Sequence, residues 1–358
     1  MRELIFVHLF NDRSGSPKVL SQVIVAMSRL GRSIEILTSH HGDGFLSDLP
    51  GVRRQIFYRR SENKILTLIF YLASQFFLFF QCLRYWRRDV VFYINTMLPF
   101  GAALAALLMR KPVIYHVHET SIRPFMLKCF LRLIIKFTAR KVIFVSDYLR
   151  AVEGFGNNIS QFVLHNALDG EVRPMQSRVR EGDFNVLMVC SLKKYKGILE
   201  FFEVAKSLRP DVSVRFVLVL NASQLEIDEY LFGVVVPGNV TIFPRQSDIS
   251  PFYLDASLVL NLSRPDEWIE TFGLTVLEAM SFGIPVIVPP VGGPAEIVTD
   301  GRHGYLISCY ETQRVADTIK YLSSNPGLHS QLARNAWVHA KQFCLRRFEY
   351  KVSEIIDN

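Results

Sequence analysis

Short apolar runs alternate along the chain with longer stretches whose apolar positions repeat every three or four residues. The runs at 4–9, 34–38, 90–94, 112–117 and 141–146 predict strands in the first half. Those at 184–190, 214–220, 239–243, 257–262, 285–289 and 304–307 predict strands in the second. Strands buried on both faces read as unbroken apolar runs, and regular alternation with helices argues parallel, doubly wound sheets. The expected fold class is α/β, with two such domains facing a cleft at the C-terminal ends of their strands. The polar stretch Glu171 to Asp183 predicts a linker, so the expected division is 1–172, 173–340 and a terminal helix over 341–358; the whole of 328–358 reads as helical.

Two helical stretches depart from the ordinary pattern. Ile65 to Leu83 is nearly uncharged and rich in Phe and Leu, long enough to cross a bilayer, yet interrupted by Thr67, Ser74, Gln75 and Gln81. Spanning would split the first sheet, so a buried or interfacial helix is expected, followed directly by Arg84, Arg87 and Arg88. Phe125 to Lys141 places Lys128, Arg132 and Lys136 at steps of four between apolar residues, the pattern of a basic amphipathic helix suited to anionic headgroups or of a surface helix with a core face. Charge supports the first choice. Residues 1–172 hold 22 of the 41 Lys and Arg and 12 of the 33 Asp and Glu, a net +10, whereas the remainder carries −2. Such a basic half suits nucleic acid, an anionic membrane or an anionic substrate.

The 358 residues suffice for two domains of ordinary size. Five scattered cysteines, none in a C-x-x-C pair, suggest neither a zinc site nor a disulfide framework and fit reduced thiols in a cytoplasmic protein. The opening residues Arg2 to Phe10 are too short and polar for a secretion signal and read as a first strand.

The strongest chemical signal is Glu270-Thr271-Phe272-Gly273-Leu274-Thr275-Val276-Leu277-Glu278. It lies between two apolar strands, and Gly283 and Pro285 stop its helix. A helix beginning near Phe272 would turn free N–H groups toward the loop that holds Glu270, a setting for a phosphate. Glu278, two turns in, would lean back toward the same end. Two carboxylates around an anion site are suited to gripping the hydroxyls of a sugar or ribose. Isolated acids at this spacing are more often solvated, but the flanking Phe-Gly-Leu, Glu-Ala-Met and Gly-Ile-Pro-Val segments resemble the signature of retaining glycosyltransferases of the family-4 type.

That resemblance covers most of 110–310, is most specific from Glu267 to Leu306 and is weak over 40–90. It implies the GT-B fold of two Rossmann-like domains, with the terminal helix crossing back to the first. It places Glu270 on the donor hexose, Glu278 on the ribose, and the Phe272 to Leu274 backbone, with Thr271, beside the diphosphate. Lys196-Gly197 matches the family's Lys-Gly, which makes Lys196 the diphosphate lysine. Ser191 stands where an arginine is usual, with Lys193 and Lys194 at hand to compensate. Arg245 belongs to a loop over the base and either stacks there or stays on the surface. Gly15 and Ser16 match a loop that ordinarily holds two glycines, and His118-Glu119 matches the His-Asp or His-Glu in which the imidazole lies against the donor sugar. His116 either supports that site or packs in the core. Ser146, the Asn166 to Asp169 turn, Gly292 to Glu296 and Asp300-Gly301 read as turn and cap chemistry.

The implied reaction is metal-independent hexosyl transfer with retention, from a UDP- or GDP-sugar to a lipid-linked acceptor, with no further cofactor. No covalent nucleophile stands out, and nucleic acid has no part in it. The segments around Lys196 and Glu270 look like those of bacterial enzymes that build surface polysaccharide, which implies O-antigen, lipopolysaccharide or capsule synthesis at the inner face of the plasma membrane. An epimerase of similar architecture and a nucleotide-sugar-binding protein without activity, the latter suggested by Ser191, are the rival readings.

Overall fold

A computed structural model describes residues 2–39, 44–59, 61, 63–169, 183–208 and 213–357. The chain divides into two compact units, Met1–Ala167 with Leu345–Asn358, and Leu168–Cys344. The expected linker falls, over 171–182, outside the described residues.

The first unit runs β1 (Glu3–Val7), α1 (Gly15–Arg29), β2 (Ile34–Ser39), β3 (Val52–Ile56), α2 (Lys64–Cys82), β4 (Val90–Asn95), α3 (Phe100–Leu108), β5 (Val113–Val117), α4 (Phe125–Thr138), β6 (Lys141–Phe144), α5 (Asp147–Glu153) and β7 (Ser160–Val163). Its seven strands are all parallel, in the order β3-β2-β1-β4-β5-β6-β7. Strand order reverses between β1 and β4, the place where doubly wound sheets open a crevice at their C-terminal ends. Two strands had no apolar run to announce them. Both β3 and β7 are edge strands, and β3 leaves Val52, Arg53 and Gln55 exposed where a central strand buries core residues.

The second unit runs β8 (Phe184–Cys190), α6 (Ile198–Ser207), β9 (Val214–Leu220), α7 (Gln224–Tyr230), β10 (Val240–Phe243), α8 (Ser250–Asp255), β11 (Leu258–Leu260), α9 (Leu274–Ser281), β12 (Val286–Val288), α10 (Gly293–Ile297), β13 (Gly304–Leu306), α11 (Thr312–Ser324) and α12 (Pro326–Ala340). Its parallel sheet has the order β10-β9-β8-β11-β12-β13, so the reversal lies between β8 and β11. All six strands match the predicted runs. Phe201 of α6 and Phe216 of β9 meet edge-on at 5.3 Å in its core, both fully buried; each contributes about 2–3 kcal/mol by leaving water.

The helical tail is broken. After α12, a 3-10 turn at Lys341–Phe343 and an extended Cys344 end the run before α13 (Leu345–Asp357) begins. The Phe343 carbonyl is taken by the Leu168 N–H at 3.0 Å, outside the helical ladder. Helix α13 belongs to the first unit, where Phe348, Val352, Ile355 and Ile356 join the α1 core. Arg29 pairs with Glu349 at 2.5 Å, and the Lys141 ammonium donates to the Ile355 carbonyl at 2.6 Å.

Candidate active site

In the second unit two loops leave the sheet on either side of its reversal, one after β8 and one after β11. They are sewn together. The Tyr195 and Trp268 rings stack at 5.1 Å, and the Arg264 N–H donates to the Tyr195 carbonyl at 2.8 Å. The Arg264 guanidinium, itself largely buried, donates to Glu200 at the start of α6 (2.6 Å) and to Glu267 (2.7 Å). Burial alone would weaken such a cation, but the two carboxylates hold it in the charged form. Gly197 sits with φ at +78°, and a Cβ there would stand 2.1 Å from the Leu262 carbonyl, so only glycine lets the loops approach this closely.

The consequence is that Lys196 and Glu270 meet. The lysine ammonium donates to Glu270 Oε1, which also accepts from the Ser263 hydroxyl at 3.3 Å. Beyond Glu270 the chain passes through half-buried Thr271 and buried Phe272 to Gly273, whose φ of +99° turns it into α9. The helix therefore starts at Leu274, two residues later than expected, because Gly273 adopts a left-handed conformation instead of a helical one. The N-cap is Gly273, which offers no capping side chain, a setting suited to an incoming anion. Glu278 follows one turn after Leu274, and the buried Tyr253 hydroxyl donates to its Oε2 at 3.0 Å. Burial, reinforced by Glu278, raises the Tyr253 pKa well above the usual phenol value, so this hydroxyl stays a donor.

The other predicted positions take lesser places. Ser191 is half-buried, and its carbonyl accepts the Lys193 N–H at 2.8 Å, while the side chains of Lys193 and Lys194 are exposed. Cys190 beside it is pushed up to about 12 by burial, a thiol unready for chemistry. Arg245 is exposed and its Nε donates to Asn221 Oδ1 at 2.7 Å. Sequence reasoning missed Tyr253, Tyr195, Trp268 and Arg264; of these, the aromatic pair alone stood close to a recognised motif.

In the first unit Gly15 and Ser16 open α1, and His118 follows β5. One residue absent from the predictions joins them. Asn95 ends β4 at the sheet reversal, and the next residue, Thr96, carries a φ of +72°. The Asn95 amide nitrogen donates to the Ser16 carbonyl at 3.2 Å and to His8 Nδ1 at 3.1 Å, and its oxygen lies 2.9 Å from His118 Nε2. The Ser16 carbonyl can only accept, which fixes which way the amide faces. His118 Nε2 must therefore carry the proton, leaving Nδ1 as the lone-pair nitrogen of the neutral ring. Burial, with His116 and His8 nearby, keeps His118 well below the usual imidazole pKa. His116 packs in the core: its ring centre is 4.2 Å from that of His118, its Nδ1 is 2.8 Å from the Tyr93 hydroxyl, and burial lowers it to about 3. Glu119 accepts from the Met97 and His118 N–H groups at 2.8 and 3.1 Å and is raised by burial to about 7. Replacing Asn95 by Leu should release the His118 tautomer and destabilise the unit by about 1–3 kcal/mol. Nitrogen-15 shifts of His118 should change from a single Nε2–H form to a mixture, and an unchanged tautomer would refute the assignment.

Two family models match the chain: Glycosyl transferases group 1 over residues 171–338 and Glycosyltransferase Family 4 over residues 13–153. The chain belongs to the family-4 glycosyltransferases. The D-inositol 3-phosphate glycosyltransferase of Arthrobacter is 26% identical over 180 residues, 48% of this chain and 42% of that protein. The N-acetyl-alpha-D-glucosaminyl L-malate synthase of Bacillus anthracis is 25% identical over 159 residues, 44% of this chain and 41% of that protein. These matches thus span less than half the length of those relatives. Among solved structures, Anabaena HepE in complex with UDP and glucose superposes with a TM-score of 0.81 at 19% identity, covering 100% of both chains. At that identity the likeness is one of fold, and the fold is GT-B.

Proposed function

We propose that this glycosyltransferase moves a hexose from a nucleotide sugar to a hydroxyl of a lipid-linked saccharide, with retention at the anomeric carbon and without a metal. The observation that carries the proposal is the Lys196–Glu270 pair set against the uncapped start of α9. Cation, carboxylate and helix N-terminus form a site for a diphosphate that carries a sugar. The ammonium and carboxylate neutralise each other. An arriving diphosphate competes for Lys196, which frees Glu270 to hold hexose hydroxyls. Lys196 and the first-turn N–H groups then stabilise the charge that grows on the leaving diphosphate as the anomeric carbon becomes oxocarbenium-like. Glu278, held by Tyr253, is placed to accept from ribose hydroxyls. In the first unit, His118 offers its Nδ1 as a fixed acceptor for a sugar hydroxyl.

The HepE complex with UDP and glucose supports a UDP-sugar donor; a GDP-sugar remains the alternative. A role in lipopolysaccharide, O-antigen or capsule assembly, at the cytoplasmic face of the membrane, follows from the motif resemblance and the basic first half. The two relatives named for inositol phosphate and malate favour a second reading, in which the acceptor is a small anionic alcohol. Incubating the purified chain with a panel of UDP- and GDP-sugars should release nucleoside diphosphate slowly from one of them. Adding lipid-linked or small alcohols should then separate the two acceptor classes. Glu270→Ala should reduce release by about a hundredfold. Failure of calorimetry to detect any nucleoside diphosphate binding would overturn the assignment.

A further inference from the structure

Helix α2 is built inside out. The face it turns toward its own unit is marked by Tyr71, Ser74, Gln75, Leu78 and Cys82, all buried at helical spacing. Two of these are polar, and both are satisfied. The Ser74 hydroxyl donates to the Tyr71 carbonyl at 2.6 Å, while Gln75 donates to Ser74 Oγ at 3.0 Å and accepts the Gly101 N–H at 3.0 Å. The opposite face carries Ile65, Ile69, Leu72, Phe76, Phe77 and Phe80, each 49–71% exposed. A helix on the surface of a water-soluble unit shows the reverse arrangement, and an exposed apolar surface of this extent marks a place of contact. Inside the unit, aromatic contacts tie the inner face of α2 to α3 and α4. Tyr71 of α2 meets Phe100 of α3 edge-on at 5.9 Å, and Phe100 meets Phe130 of α4 at 5.1 Å. On α4, Phe125, Met126 and Phe137 are 67–82% exposed.

The basic character of α4, by contrast, is largely spent internally. Lys128 and Arg132 both pair with the buried carboxylate of Glu153, and of the three cations at steps of four only Lys136 is exposed. The expected docking by a row of lysine and arginine on this helix is thereby corrected, because two of the three hold α5 in place.

We propose that the apolar faces of α2 and α4 are immersed together in the outer hydrocarbon of an anionic bilayer, with α2 lying flat in the interfacial layer. This rests on the reading that the chain works at a membrane and deepens it by naming the surface. Charge decides the occupant. Residues 63–88 contain no Asp or Glu and hold Lys64, Arg84, Arg87 and Arg88, the last of them spent on Glu3 and Glu35, and residues 125–141 are likewise free of acids. Arg84 and Arg87 are exposed at the end of the helix beside Trp86, itself 53% exposed. Cations and an indole at the rim of an apolar face match the headgroup layer. A second copy would bring two acid-free, cation-bearing surfaces together, which repel. A spanning helix is opposed by the commitments of the inner face: the Tyr71 hydroxyl donates to the Leu98 carbonyl at 2.7 Å, and Gln75 holds the N–H of Gly101.

The test is sedimentation of the full chain with vesicles of phosphatidylcholine, with and without phosphatidylglycerol. The wild type should bind the anionic vesicles and bind pure phosphatidylcholine weakly. The double variant Phe76→Ser with Phe80→Ser should lose at least about tenfold in partition, with its thermal unfolding and nucleoside diphosphate binding unchanged. Arg84→Gln with Arg87→Gln should erase most of the preference for anionic lipid. If the wild type binds and the Phe variant binds equally well, the named surface is wrong while the membrane reading stands. If the wild type binds no vesicle, the membrane reading itself falls and the inference goes with it. A wild-type dimer that Phe76→Glu converts to monomer would assign the face to a second copy and overturn the lipid assignment.

Discussion

Lys196→Ala should lower turnover of the preferred nucleotide sugar by about 2–4 kcal/mol of transition-state stabilisation, roughly 30- to 1000-fold. The lysine is the cation that reaches Glu270, and the loop carrying it is anchored by the Tyr195–Trp268 stack and the Arg264 cluster. Most of the loss should appear in kcat, because charge on the leaving diphosphate grows as the bond breaks and a positioned ammonium gains most at that moment. Binding of the nucleoside diphosphate product should weaken too, since its terminal charge resembles the one that develops in the reaction. A smaller effect is expected on stability. The variant leaves Glu270 without its ion pair, but the carboxylate retains Ser263 and is partly open to water. Steady-state kinetics beside calorimetry with nucleoside diphosphate would check the split, and an unchanged kcat would exclude the role given to Lys196.

The parts of this molecule that were legible in its sequence are those with a local signature. Fully buried parallel strands such as Leu258–Leu260 and Val286–Val288 are apolar throughout and could be read directly. The edge strands Val52–Ile56 and Ser160–Val163 could not, because their pattern merges with that of polar loops. The Glu270 to Glu278 segment was recognisable as a motif, and so was Lys196-Gly197. Asn95 was not, because nothing near it marks its task; it matters only because β4 lies beside β1 and the β5 turn brings His118 within 2.9 Å. Tyr253 is hidden for the same reason, 25 positions before the carboxylate it holds. Periodicity named the three basic positions of α4 correctly and misjudged the use of two, since Glu153, the partner of Lys128 and Arg132, lies on another helix. On α2 the hydrophobic pattern identified a helix, but only the packing of Ser74 and Gln75 inward showed which side faces out.

Gly293→Ala should damage the second unit and its site together. A Cβ at this position would stand 2.3 Å from Phe272 Cα, 2.5 Å from Phe272 N and 2.4 Å from the Thr271 carbonyl. These are backbone atoms, which cannot swing aside as the end of a long side chain can. They belong to the stretch that carries the chain from Glu270 into α9. The Gly293 N–H also donates to the Glu270 carbonyl at 2.9 Å, so the start of α10 now holds that stretch in position. With alanine, the start of α10 must move away from the Thr271–Phe272 backbone, or that backbone must yield. Either shift disturbs the carboxylate at Lys196 or the uncapped turn at Leu274. Overpacking of this kind costs about 3 kcal/mol, and displacement of a binding loop by an ångström can cost about a hundredfold in rate. Thermal unfolding should therefore show a lower midpoint for the second unit, and the variant's turnover should be reduced further than its folded fraction explains. If both measurements match the wild type, the α10 start is not what positions Glu270.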